Sequence, residues 1–144
     1  MSEEDRITVE ELRYLSIFSE LTGAMAYRCI EDESNNRLIF LVKPEDMGRA
    51  IGRGGRNIRL LEKLFGKNVE VVQYADDLET MVKNLFPGVK LLNVNIVRRG
   101  QSKIVYVKVA ESDLGKAIGR GGRNSNRARL VLRKLFNVDN VIIR

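Results

Sequence analysis

The seven residues Ile51-Gly-Arg-Gly-Gly-Arg-Asn57 recur letter for letter at Ile118 to Asn124, sixty-seven positions further along a chain of 144. Glycines at this spacing let a backbone reverse tightly and leave no side chains to hold off a ligand, while arginine can grip an anion with two parallel hydrogen bonds. A helix beginning just beyond each cluster would add its first amides and its positive dipole end to the same anion cradle. A tight helix–helix reversal alone would also need glycine, so the charge pattern has to separate the two readings. Basic residues crowd both places: Arg49, Arg53, Arg56 and Arg59 in the first, Lys116, Arg120, Arg123, Arg127 and Arg129 in the second. No acidic residue occurs between Asp46 and Glu62 or between Asp113 and Asp139. The expected ligand is therefore a phosphate chain. A mononucleotide cradle is disfavoured, because neither cluster ends in the Lys-Ser or Lys-Thr pair of a P-loop and no acidic metal ligand stands nearby.

Composition bounds the remaining chemistry. Twenty-five basic against nineteen acidic residues give a net charge of +6, and acids gathered at Glu3, Glu4, Asp5, Glu10, Glu11 and 31–33 leave the rest more basic still. With 44% apolar residues the chain can bury a core, as one ordinary domain or two small ones. Cys29 is alone and histidine is absent, which excludes a disulfide framework and the usual zinc clusters. Cys29 is expected in the core, and no metal or cofactor is expected. Without histidine or a paired nucleophile and base beside the glycines, no enzyme activity is expected either. No apolar run approaches the roughly 18 residues of a membrane span, and the N-terminus is acidic rather than a basic leader, so a cytoplasmic protein with no membrane contact is expected.

The repeat extends well beyond seven letters. Setting Gly52 on Gly119 aligns Asp46 with Asp113, Gly48 with Gly115, Arg49 with Lys116 and Ala50 with Ala117. Upstream, the runs Leu38 to Val42 and Ile104 to Val109 each follow a turn signal, Ser34-Asn35-Asn36 and Arg99-Gly100-Gln101-Ser102, and read as second strands of hairpins. The first strands are then about Ala26 to Glu31 and Val89 to Val97. Thr8-x-x-Glu11 forms a capping box with Ile7 and Leu12 as a hydrophobic staple, and Asp76-x-x-Glu79 is a weaker helix start. The first helix carries Leu12, Leu15, Phe18 and Leu21 and stops at Gly23; the second carries Leu78, Met81, Val82 and Leu85 and stops at Pro87-Gly88. After the glycines come helices bearing Ile58, Leu61, Leu64 and Phe65, or Ala128, Val131, Leu132 and Leu135, and then strands at Val69 to Val72 and Val141 to Ile143. Tyr27, Phe40 and Tyr106 are expected as core or hairpin partners, and Lys63, Arg133 and Lys134 as a solvated face. The unit is duplicated, with a boundary near Gln73 to Ala75 and a linker too short to be flexible.

The order strand, short helix, Gly-x-x-Gly, helix, strand resembles the KH domain, an RNA-binding module whose loop clamps about four nucleotides of single strand. The helix and strand preceding each core are similar to the type II, bacterial-type arrangement. The first copy also fits the longer family pattern through Ile51, Gly52, Gly55 and Ile58. The second departs from it: Ser125 stands in the place of Ile58, and its helix is one turn longer before Leu135-Phe136 matches Leu64-Phe65. Ser125 would not line an apolar groove, so the second groove would hold backbone better than bases.

The resemblance implies an α+β fold of two tandem type II KH domains, residues 1–74 and 75–144, each a three-stranded mixed sheet with helices packed on one face. Two such units joined by a minimal linker resemble the KH pair of the NusA family of transcription elongation and termination factors. The polymerase-binding and OB-fold domains of bacterial members do not fit in 144 residues, so the likeness is to the short archaeal form. It implies a monomer that binds single-stranded RNA, with RNA polymerase left open as a partner. The RNA-binding residues it implies are Arg49, Ile51, Gly52, Arg53, Gly54, Gly55, Arg56, Ile58 and Arg59 in the first copy. In the second they are Lys116, Ile118, Gly119, Arg120, Gly121, Gly122, Arg123 and Arg127. A ribosomal or RNA-processing adaptor would use the same architecture. Two helices around a glycine turn also describe a DNA-binding helix-turn-helix, which the strands flanking both helix pairs argue against.

Overall fold

The computed structural model describes residues 6–144, so Glu3, Glu4 and Asp5 lie outside the described residues. The chain divides between Tyr74 and Ala75 into two compact units.

In the first unit, α1 (Val9–Thr22) starts where the Thr8 hydroxyl accepts from the Glu11 amide at 3.1 Å, and it ends on Gly23 in the left-handed conformation. Only half of the expected capping box forms. The Glu11 carboxylate turns toward β1 (Ala26–Asp32), where it accepts from Arg28 Nε at 2.7 Å and from the Cys29 amide at 3.0 Å. A guanidinium and a buried peptide N–H together bind a carboxylate more strongly than one exposed helix-start amide. The staple does not bury its members either, since Ile7 and Leu12 remain 45% and 55% exposed.

β1 forms an antiparallel hairpin with β2 (Arg37–Val42) around a 310 turn at Glu33–Asn35, which Asn36 closes at φ 47°. β2 also pairs in parallel with β3 (Asn68–Gln73), giving the order β1-β2-β3. A parallel pair needs a long crossover. Here the crossover is α2 (Met47–Ile51), the glycine turn and α3 (Arg56–Phe65), so the sheet's own connectivity delivers the turn. Leu38, Phe40 and Val42 alternate along β2 onto a core shared with Phe18, Cys29 and Leu61. Phe40 stacks on Phe18 with ring centroids 4.3 Å apart, so it is a core residue as expected. Arg37 is wholly buried and neutralised by Asp32 at 2.7 Å and Glu70 at 3.2 Å.

The second unit repeats this order with α4 (Leu78–Asn84), β4 (Leu91–Arg99), β5 (Ser102–Val109), α5 (Leu114–Ile118), α6 (Arg123–Phe136) and β6 (Asn140–Ile143). β4 and β5 are antiparallel, β5 and β6 parallel, in the order β4-β5-β6. The expected fold class is the observed one: two three-stranded mixed sheets with helices. α4 begins one residue later than the sequence suggested, because Asp77 rather than Asp76 is its cap. Asp77 accepts from both the amide and the hydroxyl of Thr80, at 2.8 and 2.6 Å, two bonds that Asp76 with Glu79 could not match. α6 has fourteen residues to the ten of α3, the extra turn read from the sequence.

Candidate nucleic-acid interface

Both glycine turns share one backbone. Gly52 and Gly119 sit at φ 75°, ψ 168° and φ 79°, ψ 168°, a region open essentially to glycine alone. The next glycines, Gly54 and Gly55, then Gly121 and Gly122, are left-handed at φ between 61° and 78°. The amides of Gly55 and Gly122 close the turns onto the carbonyls of Gly52 and Gly119, at 3.1 Å in each copy. The following helices, α3 and α6, are capped by Gly55 and Gly122, which have no side chain to offer their first turns. These helix starts carry the positive end of a helix dipole, beside exposed Arg53, Gly54 and Arg56 in one copy and exposed Arg120 and Gly121 in the other. Such a surface suits a phosphate oxygen.

The acids that bound each stretch are tied to backbone amides, and Asp46 also lies 3.8 Å from Arg49. Asp46 accepts from the Met25 amide at 2.9 Å and Asp113 from the Lys90 amide at 2.8 Å, each pinning the loop before the first strand of its unit. Arg49 and Lys116 are likewise anchored in parallel. Arg49 donates to the Gly23 carbonyl at 3.4 Å and Lys116 to the Gly88 carbonyl at 2.9 Å, so the first short helix is tied to the end of α1 and the second to the loop between α4 and β4. Arg127 donates to the Leu85 carbonyl at 3.1 Å and so braces α6 against the end of α4. These three implied site residues therefore carry fold contacts of their own. Arg59 instead bends over its turn and donates to the Gly54 carbonyl at 2.5 Å, and its counterpart in the second copy is Asn126.

The residues beside the two turns differ. Ile51 is 38% exposed and Ile58 packs half-buried against the first core, a paired apolar edge beside the turn. Ile118 is half-buried, and Ser125 is only 4% exposed, its hydroxyl donating to the Gly122 carbonyl at 3.0 Å. Ser125 thus belongs to the turn's interior rather than to a groove wall.

The profile of the KH-domain family matches residues 12–98, from α1 through most of β4. Of related sequences, a probable transcription termination protein NusA from Methanococcus vannielii is 32% identical over 136 residues, 94% of this chain and 78% of that protein. Another of the same description, from Halococcus morrhuae, is 33% identical over 138 residues, 94% of this chain and 97% of the relative. This chain belongs to the archaeal NusA-like KH family. A crystal structure described as that of APE1850 superposes with a TM-score of 0.92 at 62% identity, covering 96% of this chain and all of that one.

Asn57 and Asn124 are the residues that sequence reasoning passed over. They end the identical seven-letter stretch, and their amides bridge from the second helix of each pair to the carbonyls of Arg49 and Lys116, at 2.7 and 3.0 Å. Identity across the repeat was the available signal. Among the described residues no group of acidic or thiol side chains could hold a metal, and no helix is long and apolar enough to cross a membrane. Cys29 is a core thiol: burial, with Glu11 and Glu31 adding to it, pushes its pKa far above the ordinary value.

Proposed function

We propose that this NusA-like chain is a transcription elongation and termination factor that binds nascent single-stranded RNA through its two glycine turns and catalyses no reaction. The observation that carries the reading is the congruence of the turns. Two copies of one glycine-dependent backbone each bring glycines, a helix N-terminus and arginines, of which Arg53, Arg56 and Arg120 are exposed, to a stretch without acidic residues. Arg53, Gly54 and Arg56, with Arg120, Gly121 and Arg123, take phosphates; Ile51 and Ile58 take bases; Arg49, Lys116 and Arg127 position the helices that present them. The relatives' description as probable transcription termination proteins supports the cellular role.

Affinities for single-stranded RNA and duplex DNA, measured at one salt concentration, test this reading. Tighter RNA binding is expected, with a salt slope set by the few phosphates held. Preference for the duplex would return the helix-turn-helix alternative. Crosslinking in cells should place the bound RNA near transcript ends; recovery of ribosomal RNA alone would favour an adaptor role.

A further inference from the structure

We infer that the open face of the second sheet is a further single-stranded RNA contact, in which Tyr106 and Arg144 hold a base and Arg99 a phosphate. β5 is the central strand, and along it Val105 and Val107 are fully buried while the alternate residues Ile104 and Tyr106 stay half-exposed on the other face. Register sets Asn95 opposite Tyr106 and Arg99 opposite Ser102, and these residues with Val97 and Arg144 line an open depression of about 380 Å³. The Arg144 guanidinium lies 5.0 Å from the Tyr106 ring centroid. A cation held on a tyrosine face offers a second plane on which a base can stack.

Charge selects the occupant. Strands β4, β5 and β6 contain no acidic residue, whereas the first sheet carries Glu31, Asp32 and Glu70 in its strands. Tyr106 is also particular to this copy, since Ile39 holds its place sixty-seven positions earlier and is fully buried. A π-stacking shelf, an amide and a hydroxyl at Asn95 and Ser102, and flanking cations suit the base and phosphate of a nucleotide, while an acidic peptide would satisfy the cations alone. The inference rests on the proposed function only for the choice of RNA over DNA.

The test measures oligouridine affinity of the full chain and of Tyr106→Ala, Tyr106→Phe, Arg144→Ala and Arg99→Glu, with circular dichroism as the folding control. Tyr106→Ala should weaken binding of a long oligouridine roughly tenfold, the loss of one stacked base. Tyr106→Phe should retain affinity. An oligouridine sized for one glycine turn should bind all variants alike. Arg99→Glu, at an exposed position, tests the site even if Tyr106→Ala fails to fold. Unchanged long-oligomer affinity in both overturns the inference. So does oligoglutamate binding that Arg99→Glu abolishes while oligouridine binding persists, which would assign the face to an acidic protein. Loss through the glycine turns with no effect at Tyr106 removes this contact and leaves the proposed function standing; the converse pattern removes the clamps and leaves this contact.

Discussion

Asn57 donates from Nδ2 to the carbonyl of Arg49 at 2.7 Å, and its Cγ lies 2.9 Å from where a Cβ on Gly52 would stand. The side-chain bond that locks the two helices therefore exists only because Gly52 is bare. Gly52→Ala must both leave a glycine-only conformation and displace Asn57, which predicts a loss of about 1–3 kcal/mol in denaturant unfolding. Gly54 is left-handed as well, but nothing lies within 4 Å of its would-be Cβ. Gly54→Ala should cost about 1 kcal/mol. Equal costs at the two sites would show that Asn57 does not set the turn.

Glu11 predicts a second stability effect, remote from the turns. Its carboxylate meets Arg28 Nε and Nη2 at 2.7 and 3.2 Å and the Cys29 amide at 3.0 Å, with both side chains at most 15% exposed. Glu11→Ala leaves a partly buried guanidinium and a buried N–H unmatched, for a predicted loss of about 3 kcal/mol. The same variant should speed modification of the Cys29 thiol by alkylating reagents, since it removes a nearby negative charge and loosens the cover. A thiol as unreactive as in the parent protein would contradict this.

These two sites show what the sequence made legible. The hairpins, the return strand and the glycine turns could be read because each depends on neighbouring residues: the turn at Ser34 to Asn36, the apolar runs Leu38 to Val42 and Val69 to Val72, the glycines themselves. Glu11 could not be placed this way, since its preference for Arg28 over Thr8 is decided by a strand fifteen or more residues away. Asp77 displaced Asp76 as cap for a local reason, the second bond from the Thr80 hydroxyl, which a three-residue cap rule does not weigh. Arg49, Lys116 and Arg127 read as RNA-binding charge beside the glycines, but the carbonyls that receive them come from other helices and loops, invisible along the chain.

The Asp77 cap gives a pH dependence. Its hydrogen bonds from Thr80, the hydroxyl first and the amide next, hold the Asp77 pKa below its ordinary value. A carboxylate depressed by folding stabilises the protein above its unfolded pKa of about 3.9, and that contribution fades as pH falls through the lower folded value. The Tm difference between the parent protein and Asp77→Ala should thus be full at neutral pH and shrink in acid below about pH 4. A difference that widens on acidification would reverse the assigned sign.

Ile58 and Ser125 predict unequal grooves. Ile58→Ser makes the first turn resemble the second and should flatten preference among oligouridine, oligoadenosine and oligocytidine by roughly tenfold, the value of one base contact. Ser125→Ala removes the hydroxyl's bond to Gly122, should cost about 1 kcal/mol of stability, and should shift all three RNAs together. Equal loss of discrimination from both substitutions would mean that the second groove reads bases too.

The central claim, that the glycine turns are the RNA clamps, is tested most directly by RNA affinity in a protein carrying Arg53→Asp, Gly54→Asp, Arg120→Asp and Gly121→Asp together. All four positions are exposed, and aspartate tolerates the left-handed backbone at Gly54 and Gly121, so circular dichroism should stay native. Each pair alone should weaken binding, and both together should lower affinity for a long oligouridine by roughly a hundredfold or more, since linked engagement is lost with them. Undiminished affinity in the natively folded quadruple variant would contradict the account.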